Sequence, residues 1–265
     1  MMTRVQAIVP LLFIWIYFAS PLQAFEDGTE SADPPASSAV PQDRPSGFHL
    51  GSPRVFIGGH AGMDFPRAGS DLFSMVTREL TLEKSDFRSP AVGFDFGVPF
   101  KSRFAAVISW EYARTSPASE SRNYVDSNGL PIRQTTTFTQ MPITGTLRYY
   151  PRKMGETVGS YAWVPTRILP YVGGGGGVIW YKFHQEGDFV DSSTLDIFSS
   201  TFDSNGLAAT AHVATGVDIA LTWRIIANVE ARYSWAHANL SSDFSNFQPI
   251  DLAGMRIIGG LCFRF

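Results

Sequence analysis

The segment Met255 to Phe265 alternates almost without a break: Met255, Ile257, Leu261, Phe263 and Phe265 share one face, and Arg256, Gly260, Cys262 and Arg264 the other. Successive side chains of a strand point to opposite faces, so one side of this segment is large and apolar and the other small or charged. Soluble sheets seldom pair such faces. A transmembrane β-barrel does so by construction, with lipid outside and a polar lumen inside.

Seven earlier segments repeat the alternation, so the expected strands are Arg54 to Phe65, Pro90 to Phe100, Phe104 to Arg114, Thr135 to Tyr150, Leu169 to His184, Ala208 to Trp223, Ile225 to His237 and Asp251 to Phe265. Each is long enough to cross a bilayer at a tilt, which takes ~9–11 residues. In the seventh, Ile225, Ala227, Val229, Ala231, Tyr233 and Trp235 face out while Asn228, Glu230, Arg232 and Ser234 face in. The third turns Ile108 and Trp110 out and Ser109 and Glu111 in; the sixth turns Val213 and Val217 out and His212 and Asp218 in; the second turns Phe94 and Phe96 out and Asp95 in. Aromatic belts are expected from Tyr149, Tyr150, Tyr171 and Phe265 at one interface and Trp110, Tyr112, Tyr181, Phe183, Tyr233 and Trp235 at the other.

The fifth strand holds an unbroken run, Gly173 to Gly177. A phosphate-cradling loop needs a following Lys-Ser/Thr element that is missing here, so the run reads as strand glycine that permits sharp bending. Pro142 removes a ladder donor, and a bulge or a lost bond is expected there.

Connections alternate in length. Lys101 to Arg103 and the residue Arg224 are short turns, whereas Pro66 to Ser89, Thr115 to Gln134, Gln185 to Leu207 and Ala238 to Ile250 are long. Short turns lie on the periplasmic side of outer-membrane barrels, so both termini are expected there. Pro151 to Ile168 breaks the rule, a long stretch where a turn belongs. Alternation of Val76, Arg78, Leu80, Leu82 and Lys84 suggests that the first two strands continue beyond the bilayer as a raised sheet with an exposed edge.

Composition is permissive: 44% hydrophobic residues and a net charge of -3 exclude a globally basic nucleic-acid binder and little else. Arg4 followed by the apolar run Ala7 to Ala19, with a cleavage site after Ala24, reads as a signal peptide over residues 1–24. Residues 25–50, rich in Pro, Ser and Ala, read as a disordered periplasmic tail, and residues 51–265 as the barrel. A single cysteine, Cys262, permits no internal disulfide.

The fold expected is all-β, an eight-stranded antiparallel up-and-down transmembrane β-barrel. The layout resembles the small Gram-negative outer-membrane barrels of the OmpA/OmpX/OmpW-like group. Met141 to Tyr150 looks like that group's fourth strand, and Leu169-Pro170-Tyr171-Val172-Gly173-Gly174-Gly175 like its fifth. The resemblance implies that the outer-membrane assembly machinery reads Phe265, Phe263 and Leu261.

Inward positions supply Asp95, Glu111, Asp218 and Glu230 against Arg148, Lys182, Arg232, Arg256 and Arg264, with His60 and His212 besides. A barrel of eight strands is just wide enough for side chains to fill, so these charges are expected to pair into a closed lumen network. A narrow path for ions or small apolar molecules is the second reading. His60, His184 and His212 lie on different strands without ligand spacing, so no metal is expected, and no cofactor either. Arg232 to Asn239 faintly resembles the His-x-Ser-Asn segment of outer-membrane lipid A deacylases, a remote alternative. Asn239 stands where that motif has its serine, so no catalytic residue is assigned. The expected role is a non-enzymatic envelope or surface protein of the outer membrane. Its expected partners are membrane lipid, lipopolysaccharide, the assembly machinery and an extracellular ligand held by the long loops.

Overall fold

A strand that crosses hydrocarbon must have its backbone groups paired on both edges, so eight such strands have to close on themselves. They do. The computed structural model describes residues 51–159, 162–191, 194–244 and 246–265, and the expected signal peptide and tail lie outside them. The strands are β1 (Phe56–Pro66), β2 (Ser89–Lys101), β3 (Phe104–Thr115), β4 (Ala118–Val125), β5 (Pro131–Tyr149), β6 (Gly155–Val158), β7 (Ala162–Pro165), β8 (Ile168–Val190), β9 (Ile197–Ala220), β10 (Ile225–Ala238), β11 (Ile250–Asp251) and β12 (Gly254–Arg264). The order β1-β2-β3-β5-β8-β9-β10-β12 is antiparallel throughout, and β12 pairs back onto β1 from Phe56↔Arg264 to Pro66↔Gly254. The ring contains eight strands. Among the described residues no helix is long and apolar enough to cross a membrane.

Burial follows the alternation. Phe263, Leu261, Ile257 and Met255 are exposed on the outside of β12, while Arg264, Cys262 and Arg256 are buried inside. On β2, Phe94 and Phe96 are exposed and Asp95 is 3% exposed. A band of this kind on every ring strand is suited to hydrocarbon, not water. Near the short turns, Phe104 lies 5.9 Å from Phe100 and 5.2 Å from Tyr149, ring to ring; Tyr233 and Trp235 form a second aromatic pair at 4.9 Å towards the long-loop end.

Four of the expected belt residues point inward instead. Tyr150, Tyr171, Tyr181 and Phe183 are at most 1% exposed. The reason is parity: Tyr149 and Tyr150 cannot share a face, and Tyr171, Tyr181 and Phe183 fall on the inner row of β8.

The glycine run lets β5 and β8 approach. A Cβ at Gly175 or Gly177 would run into the main-chain oxygens of Gly145 and Ile143 on β5, so only glycine fits. At Pro142 the cost is a lost ladder step, not a bulge. The β3–β5 pairing skips from Trp110↔Ile143 to Ala113↔Gln140 in unchanged register, and β5–β8 pairing runs straight through Pro142↔Ile179.

The long connections depart from expectation. Pro66 to Ser89 does not extend the first two strands; it folds into helix α1 (Asp71–Glu79) and a 3-10 turn at Lys84–Phe87. Leu72, Phe73 and Val76 recur at helical spacing and all are fully buried, whereas the alternation from Val76 to Lys84 straddles the helix end. The raised sheet exists elsewhere: β5, β8 and β9 are 19, 23 and 24 residues long, and β4 adds to β5. The β8–β9 pairing continues from Ile168↔Ile219 to Val190↔Ile197, so the hairpin is about 75 Å along the strand, well beyond the ~30 Å of hydrocarbon. The stretch Pro151 to Ile168 is also built: β6 and β7 form a separate two-stranded hairpin at the short-turn side.

Candidate functional site

Inward side chains fill the barrel in three layers. At the short-turn end, Phe56, Val107, Tyr150, Leu169, Tyr171 and Ile226 form an apolar layer. At the other end, α1 and the loops drop a second apolar plug into the mouth. Phe73 there meets Phe87 at 4.8 Å, Phe138 at 5.4 Å and Phe183 at 5.9 Å, all edge to face.

Between them lies a chain of alternating charges. Arg256 donates to Asp64 (3.0 Å) and to Glu111; Arg232 donates to Glu111 (3.0 Å) and Glu230 (2.7 Å); Arg148 donates to Glu230 (2.7 Å). Glu111 and Glu230 are 0% exposed, and the arginines at most 8%. The register explains why the acids sit where they do. Arg232 on β10 is directly opposite Arg256 on β12, a like-charge pair that would repel. Glu111 reaches across the lumen from β3 and gives one carboxylate oxygen to each guanidinium. Glycine makes the room: a Cβ at Gly93, opposite Glu111, would lie 3.0 Å from Glu111 Cγ and 2.5 Å from His60 Nε2.

Neutral donors complete the layer. Tyr171 donates to Glu230 (2.7 Å), Tyr150 to Asp218 (2.8 Å), Asn228 to Asp218 (2.6 Å) and Ser109 to Asp95 (2.5 Å). His60 bonds Asp95 at 3.1 Å, and His212 bonds Thr146 at 2.9 Å. The cavity left beside Glu111, Arg232 and Arg256 is about 20 Å³, room for one water.

Of the charges expected in the lumen, Asp95, Glu111, Arg148, Asp218, Glu230, Arg232, Arg256 and Arg264 line the interior; Lys182 does not. It lies on the outer row of β8, its side chain 40% exposed, 3.2 Å from Asp203. Its neighbours Tyr181 and Phe183 hold the inner row, so parity excludes it. Asp64 was absent from the expected set, although His60, Gly62 and Asp64 share one face of β1 and the alternation there gives it away. The hydroxyls of Tyr150 and Tyr171 carry no such signal, because tyrosine near a strand end reads equally well as belt.

His237, in the deacylase-like segment, faces out with its side chain 62% exposed, 3.9 Å from Asp251. The Asn239 carbonyl accepts from Tyr181 (2.8 Å), and the Ser241 hydroxyl donates to Asp203 O (2.8 Å). Among the described residues no serine hydroxyl bonds His237.

On the raised sheet a second cluster ties strand to loop. His184 bonds Asp203 at 2.7 Å and Glu186 at 3.3 Å, and the Asp203 amide donates to Asp243 at 3.0 Å. Burial alone would raise the Asp203 carboxyl, but bonds from His184 and Lys182 outweigh it and hold the group below its ordinary 3.8. A depressed carboxyl stabilises fully above its unfolded value and loses that contribution as pH falls through the lower folded value. Protection of the Ser241 amide, which donates to Ser204 beside the cluster, is therefore expected to hold at neutral pH and decline below about pH 3.8. Asp203→Asn should flatten that dependence in hydrogen exchange. With the Asp203 side chain 41% exposed, the effect is under ~1 kcal/mol.

No protein-family model and no curated protein matches the chain. Among solved structures, it is similar to the outer membrane protein OprG from Pseudomonas aeruginosa, with 16% identity over 81% of this chain and 96% of that one, at a TM-score of 0.44. It is also similar to the N-terminal β-barrel domain of OprF from the same organism (12% identity, 80% and 98% covered, TM-score 0.36). Neisserial surface protein A is a third (11% identity, 80% and 96% covered, TM-score 0.39). The assignment of a barrel rests on the closed hydrogen-bonded ring.

Proposed function

We propose that the protein is a non-catalytic outer-membrane barrel with a closed lumen, working through the sheet raised on its long-loop side. The observation that carries this reading is the filling of the lumen, two apolar layers around an ion-pair layer whose cavity is about 20 Å³. Nothing hydrated passes a gap that size. The short turns, with both ends of the ring, face the periplasm by the general rule for such barrels. The apolar band meets membrane lipid and lipopolysaccharide, and the outward row Phe265, Phe263 and Leu261 serves the assembly machinery.

The raised sheet supplies the contact surface. Across β4, β5, β8 and β9 its outer face carries a groove of about 860 Å³ lined by hydroxyls and charges, among them Arg133, Glu186, Asp188 and Ser199. The register Ser119↔Gln134↔Gly187↔Ser200 runs straight across it, so its shape is set by backbone pairing. Binding surfaces are commonly of this kind, polar positions on a rigid scaffold.

Refolded protein in planar bilayers is expected to show no discrete openings. Openings by the wild type would overturn the closed-lumen reading in favour of a narrow transporter. Exchanging residues 186–201 for a short turn should abolish adhesion of expressing cells to host cells or matrix, while the heat-shifted band that marks a folded barrel persists. Adhesion unchanged by the exchange would remove the surface role, and loss of an acyl chain from lipid A in expressing cells would show an enzyme.

A further inference from the structure

Among the described residues the ion-pair layer accounts for every buried arginine except one. Arg264 is 6% exposed, its Nη1 has no hydrogen-bond partner, and among the described residues no carboxylate lies within 4.0 Å of its guanidinium. Asp218 is the acid nearby, but its two oxygens are engaged by Tyr150 and Asn228. The guanidinium lies 5.4 Å from the centroid of the Trp163 ring, a contact that leaves its N–H fork free.

That fork lines a cavity of about 370 Å³ at the short-turn mouth, between the end of the barrel and the β6–β7 hairpin. Phe56, Leu169 and Ile226 wall it from the barrel, and Met154 and Trp163 from the hairpin side. The size is that of a small-molecule site, mostly apolar with a polar group to fix orientation. Burying an arginine without a counter-ion is costly, and a ligand that brings the anion removes the cost. The lining carries two cations, Arg264 and Lys101, and one acid, Asp218, a net single positive charge that suits a monoanion better than a phosphate dianion, and the planar guanidinium matches one carboxylate bidentately.

We propose that this mouth binds a small carboxylic acid with an aliphatic or aromatic body. Arg264 takes the carboxylate, and the body lodges against Trp163 and Met154 under the hairpin. The site is independent of whatever the raised sheet contacts at the opposite end.

The test uses the refolded full chain in lipid nanodiscs, labelled with 5-fluorotryptophan and titrated with 3-phenylpropanoate, 3-phenylpropanamide or inorganic phosphate. The Trp163 fluorine line, identified by its loss in Trp163→Phe, is expected to shift saturably with the acid and not with the amide or phosphate. Arg264→Gln should weaken the acid by about tenfold or more. Ser52→Phe, which fills the mouth from the segment ahead of β1 and adds no tryptophan, should abolish the shift. No saturable shift with the acid overturns the proposal, as does equal affinity for the amide, a response to phosphate alone, or unchanged affinity in a heat-modifiable Arg264→Gln. If Arg264→Gln does not fold, Ser52→Phe decides: retained binding there sinks the site.

Discussion

Glu111→Gln is expected to lower the unfolding free energy of the barrel by about 3–5 kcal/mol, measured by reversible urea titration of refolded protein in detergent or vesicles. The size follows from what Glu111 separates. Arg232 and Arg256 are cross-strand neighbours, and the carboxylate satisfies one guanidinium with each oxygen. An amide can accept from one of them but turns its own N–H donors on the other, leaving like charges to face each other in a buried layer. Arg256 keeps Asp64 and Arg232 keeps Glu230, so the ring should still close, with a lower midpoint. In an Arg232→Met background the same substitution should cost markedly less, because Glu111 then serves only Arg256. A loss under about 1 kcal/mol in the wild-type background, the range of solvated surface pairs, would show that water reaches the layer.

The ring was legible because alternation is a local property of one strand. Val229 and Glu230, or Phe94 and Asp95, declare opposite environments whatever the rest of the chain does, and their burial follows. Strand length beyond the membrane was not legible. In β8 and β9 beyond Gln185, one row mixes Gln185 and Gly187 with Phe189 and Phe202 and the other mixes Glu186 and Asp188 with Val190, so neither row is uniformly apolar and the alternation disappears. Parity errors had a different origin. Lys182 was placed inside because its aromatic neighbours Tyr181 and Phe183 suggested a belt, yet at that height the inner row is apolar: the plug, not lipid, is their solvent. The plug was illegible for the same reason as α1. Leu72, Phe73 and Val76 bury against strands distant in sequence, and a nine-residue helix has no stability of its own to announce it.

Phe73→Ala is the corresponding test of the plug, and its expected effect is large but local. The side chain is 0% exposed and packs edge to face on three other phenylalanines, so truncation should cost about 3–5 kcal/mol. That cost falls on α1, whose buried face supplies most of its hold beside single bonds to Asp71, Glu79 and Leu80 at its ends, and not on the ring. β1 and β2 are already paired from Phe56↔Gly97 to Asp64↔Ser89 before the chain enters the loop. Exchange of the Ser74 and Leu80 amides, which close turns of α1 onto Ser70 and Val76, should therefore quicken by roughly a hundredfold to a few thousandfold. Proteolysis between residues 67 and 88 should rise while the heat-shifted band persists. On the proposed closed-lumen reading conductance should stay at zero, because the chain from Asp64 through Arg256, Glu111, Arg232 and Glu230 to Arg148 fills the lumen below the plug. Openings in Phe73→Ala alone would mean that the apolar cap is the seal and that the ion pairs beneath it admit water and ions once it lifts.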